Sequence, residues 1–128
     1  MIEAARAARA HAHAPYSHYA VGAAVLTKSG RVYAGCNVEN ATYGATLCAE
    51  RSAVAAMVAA GDHTPIACAV VTAGPRPGAP CGICRQVLIE FARDMKVVLL
   101  AESSGGKVIA KKTTHLAKLL PGAFRLVR

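Results

Sequence analysis

An α/β layer structure is predicted for this chain by three observations. Two apolar runs, residues 20–28 and 31–38, are separated by Ser29-Gly30 and read as a β-hairpin. Helical and strand-like segments then alternate through the rest of the chain. The turn at 102–106 is shorter than the roughly dozen residues a parallel crossover takes, so the last two strands are predicted antiparallel. The 128 residues are expected to form a single domain, 1–128, large enough to bury most of its apolar surface.

The elements follow in order. Residues 2–13 are rich in alanine, with Arg6 and Arg9 one turn apart, and predict a helix that Pro15 ends. After the hairpin, residues 40–46 are loop, with Gly44 allowing an unusual backbone angle. Leu47 to Ala60 is the clearest helix, with Leu47, Val54, Met57 and Val58 as its apolar stripe and Gly61 at its end. Ile66 to Ala73 is apolar but for Thr72 and predicts a strand covered on both faces. Residues 74–80, with three prolines and two glycines, are loop. Cys81 to Arg93 is the next helix, with Ile83, Val87, Leu88 and Phe91 on one side. Lys96–Ala101 and Lys107–Lys112 are the last two strands, and Thr113 or Thr114 is expected to cap a short helix that Pro121-Gly122 stops.

Composition narrows the function classes. The chain is 54% hydrophobic with only 5% aromatic residues, so its core is built of Ala, Val, Leu and Ile. No apolar run reaches the roughly 18 residues of a membrane span. Five cysteines in a chain without an export signal predict a reducing cytoplasmic location. The net charge is +8, concentrated in the last quarter, where Phe124 is the only aromatic residue. That scarcity argues for a solvated basic surface and against a nucleic-acid face.

The chemistry is carried by Cys48-Ala49-Glu50 and Pro80-Cys81-Gly82-Ile83-Cys84. Three thiolates can hold one zinc ion and leave its fourth tetrahedral position to water, which becomes a nucleophile near neutral pH. Glu50 is then placed to move that water's protons. Both predicted helices begin at these cysteines, where helix N–H groups favour thiolates. Cys81 and Cys84, at i and i+3, share a face, whereas Cys48 and Glu50 converge only if Cys48 sits at the helix edge. Arg51 and Arg85, each following a motif member, are candidates to donate hydrogen bonds to the sulfurs and restore the metal's acidity. A closed structural zinc knot would need a fourth ligand, and no cysteine or histidine has a ligand-like spacing. Cys36 and Cys68 read as small buried hydrophobes.

Taken with Tyr16–Ala24, Gly35–Asn40, the run Arg85-Gln86-Val87 and Leu119–Phe124, these motifs resemble the cytidine deaminase family from Ala14 almost to the C-terminus. The resemblance implies a three-layer α/β/α fold around a five-stranded sheet. It implies zinc, one ion per subunit, on Cys48, Cys81 and Cys84, with Glu50 as proton shuttle. It further implies that Asn37 and Glu39 bind the ribose, Glu39 accepting from the 3′-hydroxyl, and that the Ala49 N–H meets the pyrimidine O2. Tyr19 stands where the family usually has Phe beside the base. Tyr43 and Phe124 match aromatic residues near a neighbouring subunit's pocket, since this short branch of the family forms homotetramers with shared active sites. The implied reaction is hydrolytic removal of the 4-amino group of cytidine or deoxycytidine, a step of pyrimidine salvage.

Two other substrates fit the zinc motifs, a cytosine-containing polynucleotide and blasticidin S. The antiparallel last strands and the carboxylate of Glu39, which would repel a 3′-phosphate, disfavour the first. The intact Asn37/Glu39 pair disfavours the second. A non-catalytic zinc module with a basic tail is the reading from a different class, and ammonia release separates it from an enzyme.

Overall fold

A computed structural model of the chain describes residues 1–127. Four helices, α1 (Ile2–Arg9), α2 (Ala49–Ala59), α3 (Gly82–Phe91) and α4 (Leu116–Leu119), surround one mixed sheet. Its strands are β1 (Gly22–Thr27), β2 (Val32–Cys36), β3 (Pro65–Ala73), β4 (Lys96–Glu102) and β5 (Val108–His115), in the spatial order β2-β1-β3-β4-β5. β1 is antiparallel to both β2 and β3, β3 and β4 are parallel, and β4 and β5 are antiparallel as the short turn requires. None of the helices of the described residues is long and apolar enough to cross a membrane.

The period-two geometry of the strands sorts the core into two layers. Cys68, Val70, Val97 and Leu99 face α2 and α3, where Ala53, Met57 and Leu88 are fully buried. Their neighbours Ala69, Val71, Val98 and Leu100 face the opposite way, onto Ala5 and the start of α1. Both faces of β3 and β4 are thus covered, giving the α/β/α sandwich. Alanine and glycine set how closely the layers approach. A Cβ on Gly35 of β2 would lie 2.5 Å from the Ala53 nitrogen and 2.6 Å from the Ser52 Cβ of α2. α1 is tied to the end of β4 by Arg6, which forms an ion pair with the buried Glu102.

Several boundaries differ from the sequence expectation. The first helix stops at Arg9, because His13 donates its N–H to the Asn37 carbonyl (3.0 Å) and accepts the Glu39 N–H (2.8 Å), drawing residues 10–13 out of the helix. Leu47 lies before α2 and exchanges both backbone hydrogen bonds with Val38 (2.9 Å each), so it belongs to a β-bridge. Leu47, Val58 and Ile83 are exposed. The buried stripe of α2 is Ala49, Ala53, Val54 and Met57, and that of α3 runs through Cys84, Leu88 and Ile89. Gly44 adopts no left-handed angle and sits in a short 3-10 turn, Tyr43–Ala45. Thr113 and Thr114 do not cap a helix. They pair with Val98 and Val97 in a longer β5, and Asp94 instead accepts the Ala117 N–H (2.9 Å) at the start of α4.

Replacing Gly35 by alanine should lower unfolding free energy by about 1–3 kcal/mol, because backbone on α2 cannot yield as a side-chain tip could. Thermal unfolding of the two proteins, followed by far-ultraviolet circular dichroism, checks this.

Candidate active site

Cys48 is the N-cap of α2 and Cys81 the N-cap of α3, both in extended backbone (ψ 155° and 171°). These positions bring the first turns of two helices together. Because Cys48 lies outside the helix, its side chain and that of Glu50 escape the opposite-face rule for i and i+2. The Sγ atoms of Cys48, Cys81 and Cys84 lie within 4.8 Å of one another, and those of Cys48 and Cys81 are 3.7 Å apart. Sulfurs about 2.3 Å from a tetrahedral zinc stand about 3.8 Å from each other, so the trio fits that ion. No fourth Cys, His, Asp or Glu joins this cluster among the described residues. The donor set therefore matches a zinc ion with one position left for a non-protein ligand.

Burial is graded across the trio. Cys84 is fully buried, Cys48 half-buried and Cys81 exposed toward the cleft. The Cys48 thiol is drawn down to about 5 by its hydrogen bond with Cys84, helped by Arg51 and Cys81 against the cost of burial. The same pairing with Cys48, together with burial, pushes the Cys84 thiol up. Glu50 is 4% exposed, and that burial raises its carboxyl above the usual range, with the charge at Cys48 adding to the effect and a hydrogen bond with Cys84 opposing it. A buried carboxyl that holds its proton more readily than usual is suited to exchanging protons with a neighbour.

The two arginines part company. Arg51 donates to the Thr46 carbonyl (2.9 Å) and to Cys48 Sγ (3.8 Å), as its position in the motif suggests. Arg85 donates to the carbonyls of Pro80 (2.7 Å) and Leu119 (2.6 Å), so it reaches the site through backbone and not through sulfur. It fastens the residue before Cys81 to the end of α4.

A cleft of about 350 Å³ opens above the sulfurs. Its lining includes Tyr19, Asn37, Glu39, Ala49 and Glu50 with Cys48 and Cys81, so most of the residues expected to meet a ligand share one cavity. Tyr43 is absent from that lining. It is 79% exposed and packs edge-on against Tyr16, with ring centroids 6.3 Å apart, beside a shallower depression. Phe124 is also outside it, 67% exposed, its carbonyl accepting from Gln86 (3.0 Å).

Three lining residues were not singled out by sequence. Thr72 was visible as the lone hydroxyl in an apolar strand. Its Oγ1 donates to the Leu100 carbonyl (3.3 Å) and accepts the Gly78 N–H (3.1 Å), fixing the loop that delivers Cys81. Gly78 leaves room for Tyr19, whose hydroxyl would lie 2.8 Å from a Cβ at that position. Ser17 binds Glu39, a contact across 22 residues of sequence that no local spacing encodes.

The family model for the cytidine and deoxycytidylate deaminase zinc-binding region matches residues 1–101, which include all three cysteines and Glu50. The chain is 44% identical over 124 residues to a cytidine deaminase of Sporosarcina psychrophila, an alignment covering 97% of this chain and 88% of that protein. Identity is 51% over 122 residues to the cytidine deaminase of Mycobacterium tuberculosis, covering 93% and 83%. Among solved structures, that of cytidine deaminase from Burkholderia pseudomallei superposes with a TM-score of 0.84 at 49% identity, covering 96% of this chain and 95% of that one. With the sulfur trio, the buried glutamate and the sheet order all in place, the chain belongs to the cytidine deaminase family, whose zinc-binding region it carries.

Proposed function

We propose that the chain catalyses hydrolytic deamination of cytidine and deoxycytidine to uridine and deoxyuridine, releasing ammonia. The observation that carries this reading is Glu50, a buried carboxyl beside three converging sulfurs, in a cleft within the roughly 300–1,000 Å³ range of small-molecule sites. Cys48, Cys81 and Cys84 would hold a zinc ion, which when bound would act as a Lewis acid making water nucleophilic near neutral pH.

Glu50 manages the protons. It takes one from the attacking water as oxygen bonds to C4, and passes it to N3. It then moves the water's second proton to the amino nitrogen as the C4–N bond breaks, and ammonia leaves. Arg51, against Cys48, offsets the negative charge that three thiolates place around a divalent ion. The Ala49 N–H is assigned to the pyrimidine O2, the Tyr19 ring to the edge of the base, and Asn37 and Glu39 to the sugar. All four line the same cleft. Glu39 also disfavours a polynucleotide, since its carboxylate would face a 3′-phosphate. Five unpaired cysteines, an odd number, suit a reducing compartment, so the reading places the protein in the cytoplasm. The exposed rings of Tyr43 and Phe124 are assigned to the pockets of neighbouring copies in a homotetramer.

Glu50→Gln should keep its zinc, measured by metal analysis, and lose about 10²–10⁴-fold in kcat, followed by the fall in ultraviolet absorbance of cytidine. Undiminished turnover would remove Glu50 from the mechanism. Sedimentation equilibrium should give four times the 13.2 kDa chain mass. A monomer with full activity would end the shared-site assignment. Gly78→Ala, which pushes on the Tyr19 hydroxyl, should raise KM for cytidine by about tenfold, or about 1.4 kcal/mol. The double variant Gly78→Ala/Tyr19→Phe should recover only part of that loss, because the Thr72 Cγ2 would still lie 2.9 Å from the added Cβ.

A further inference from the structure

Glu39 is held at the cleft by a single short turn. Its Oε1 accepts the backbone N–H groups of Tyr16 (2.9 Å) and Ser17 (3.1 Å), and its Oε2 accepts the Ser17 hydroxyl. A carboxylate offers about four lone-pair directions, so one remains. The Ser17 oxygen gives its only proton to Glu39 and uses a lone pair to accept the Tyr19 N–H at 3.0 Å. The Tyr19 carbonyl in turn accepts from the Asn37 amide (2.8 Å), whose Oδ1 takes the Val21 N–H (2.9 Å). One circuit of directed hydrogen bonds therefore runs Glu39–Ser17–Tyr19–Asn37. The turn that carries it closes with the His18 N–H on the Ala14 carbonyl (3.0 Å), and His18 takes a left-handed φ of 55° to make it.

Three donors on one carboxylate do two things. They keep it ionised, with the Ser17 hydroxyl as the largest cause of its lowered pKa. They also fix its rotamer before any ligand arrives, so the ordering cost is not charged to binding. Ser17 and Glu39 both line the cleft.

We propose that Ser17 is a positioning residue for the nucleoside sugar: its hydroxyl sets the Glu39 carboxylate so that the remaining lone pair meets the 3′-hydroxyl. The proposal rests on the assignment of Glu39 to the sugar. It predicts a loss confined to ligands that carry a 3′-hydroxyl, which a residue serving only the turn would not produce.

The test is steady-state kinetics of zinc-loaded wild type, S17A, S17T and E39Q on cytidine and on 3′-deoxycytidine. S17A should raise KM for cytidine about tenfold, the scale of one hydrogen bond to a charged group. It should leave kcat and the 3′-deoxycytidine KM within about twofold. S17T, which keeps the hydroxyl, should behave as wild type. S17A/E39Q should be no worse on cytidine than E39Q alone, as expected of two residues acting as a unit. Ser17→Cys, close in volume and a weaker donor, should shift in the same direction and serves the comparison if S17A does not fold. If E39Q separates the two substrates but S17A lowers kcat/KM equally for both, or adds fully to E39Q, the proposal is overturned and the sugar assignment stands. If E39Q itself treats both substrates alike, the sugar assignment fails and the proposal goes with it.

Discussion

The meeting of two helix starts at one point is the constraint on which the rest of the molecule depends. α2 and α3 are separated by a strand and a loop, yet Cys48 and Cys81 are their N-caps, with sulfurs 3.7 Å apart. Both first turns carry the partial positive charge of a helix start beside these sulfurs. Thiolates are favoured there, and an ion that gathers them bridges the two helices. The sheet sets this up. Parallel β3 and β4 require a crossover, α3 is that crossover, and the loop leading into it is pinned by Thr72.

Around that point the molecule grades its polarity. Cys84 and Glu50 are buried at the bottom, where low dielectric strengthens every interaction with a reacting group. Cys81 stands at the solvent side. Farther out, Asn37 and Glu39 hold the segment at residues 14–21 by hydrogen bonds, so groups that line the cleft also shape it. The sulfur cluster and the outer cleft therefore use different supports: helix termini for the first, a turn stitched by side chains for the second.

This division explains what could be read from the chain alone. Hairpin, alternation and the antiparallel last pair follow from local periodicity and turn length, which are sequence properties. The cysteines and Glu50 were visible because their spacing maps directly onto helix starts. Val58 and Ile83 misled because apolar character does not say which side of a helix faces the core, and Leu47 because it pairs with Val38 before α2 begins; alanines such as Ala49 and Ala53 fill the narrow gap instead. His13 was invisible as a helix breaker, since the bridge that pulls it away is made with Val38. Arg85 follows its motif as Arg51 does, yet one is aimed at carbonyls and the other at sulfur. Only the placement of α4 beside α3 decides that.

The close fit of Tyr19 against Gly78 carries a historical implication. Two positions that share one small volume cannot drift freely past each other. A lineage starting from this chain meets a steep step if residue 78 gains bulk while the phenol persists, and a lower one, set by the Thr72 methyl 2.9 Å away, if the ring first loses its oxygen. The order of substitutions, and not only their sum, decides which descendants keep a working cleft.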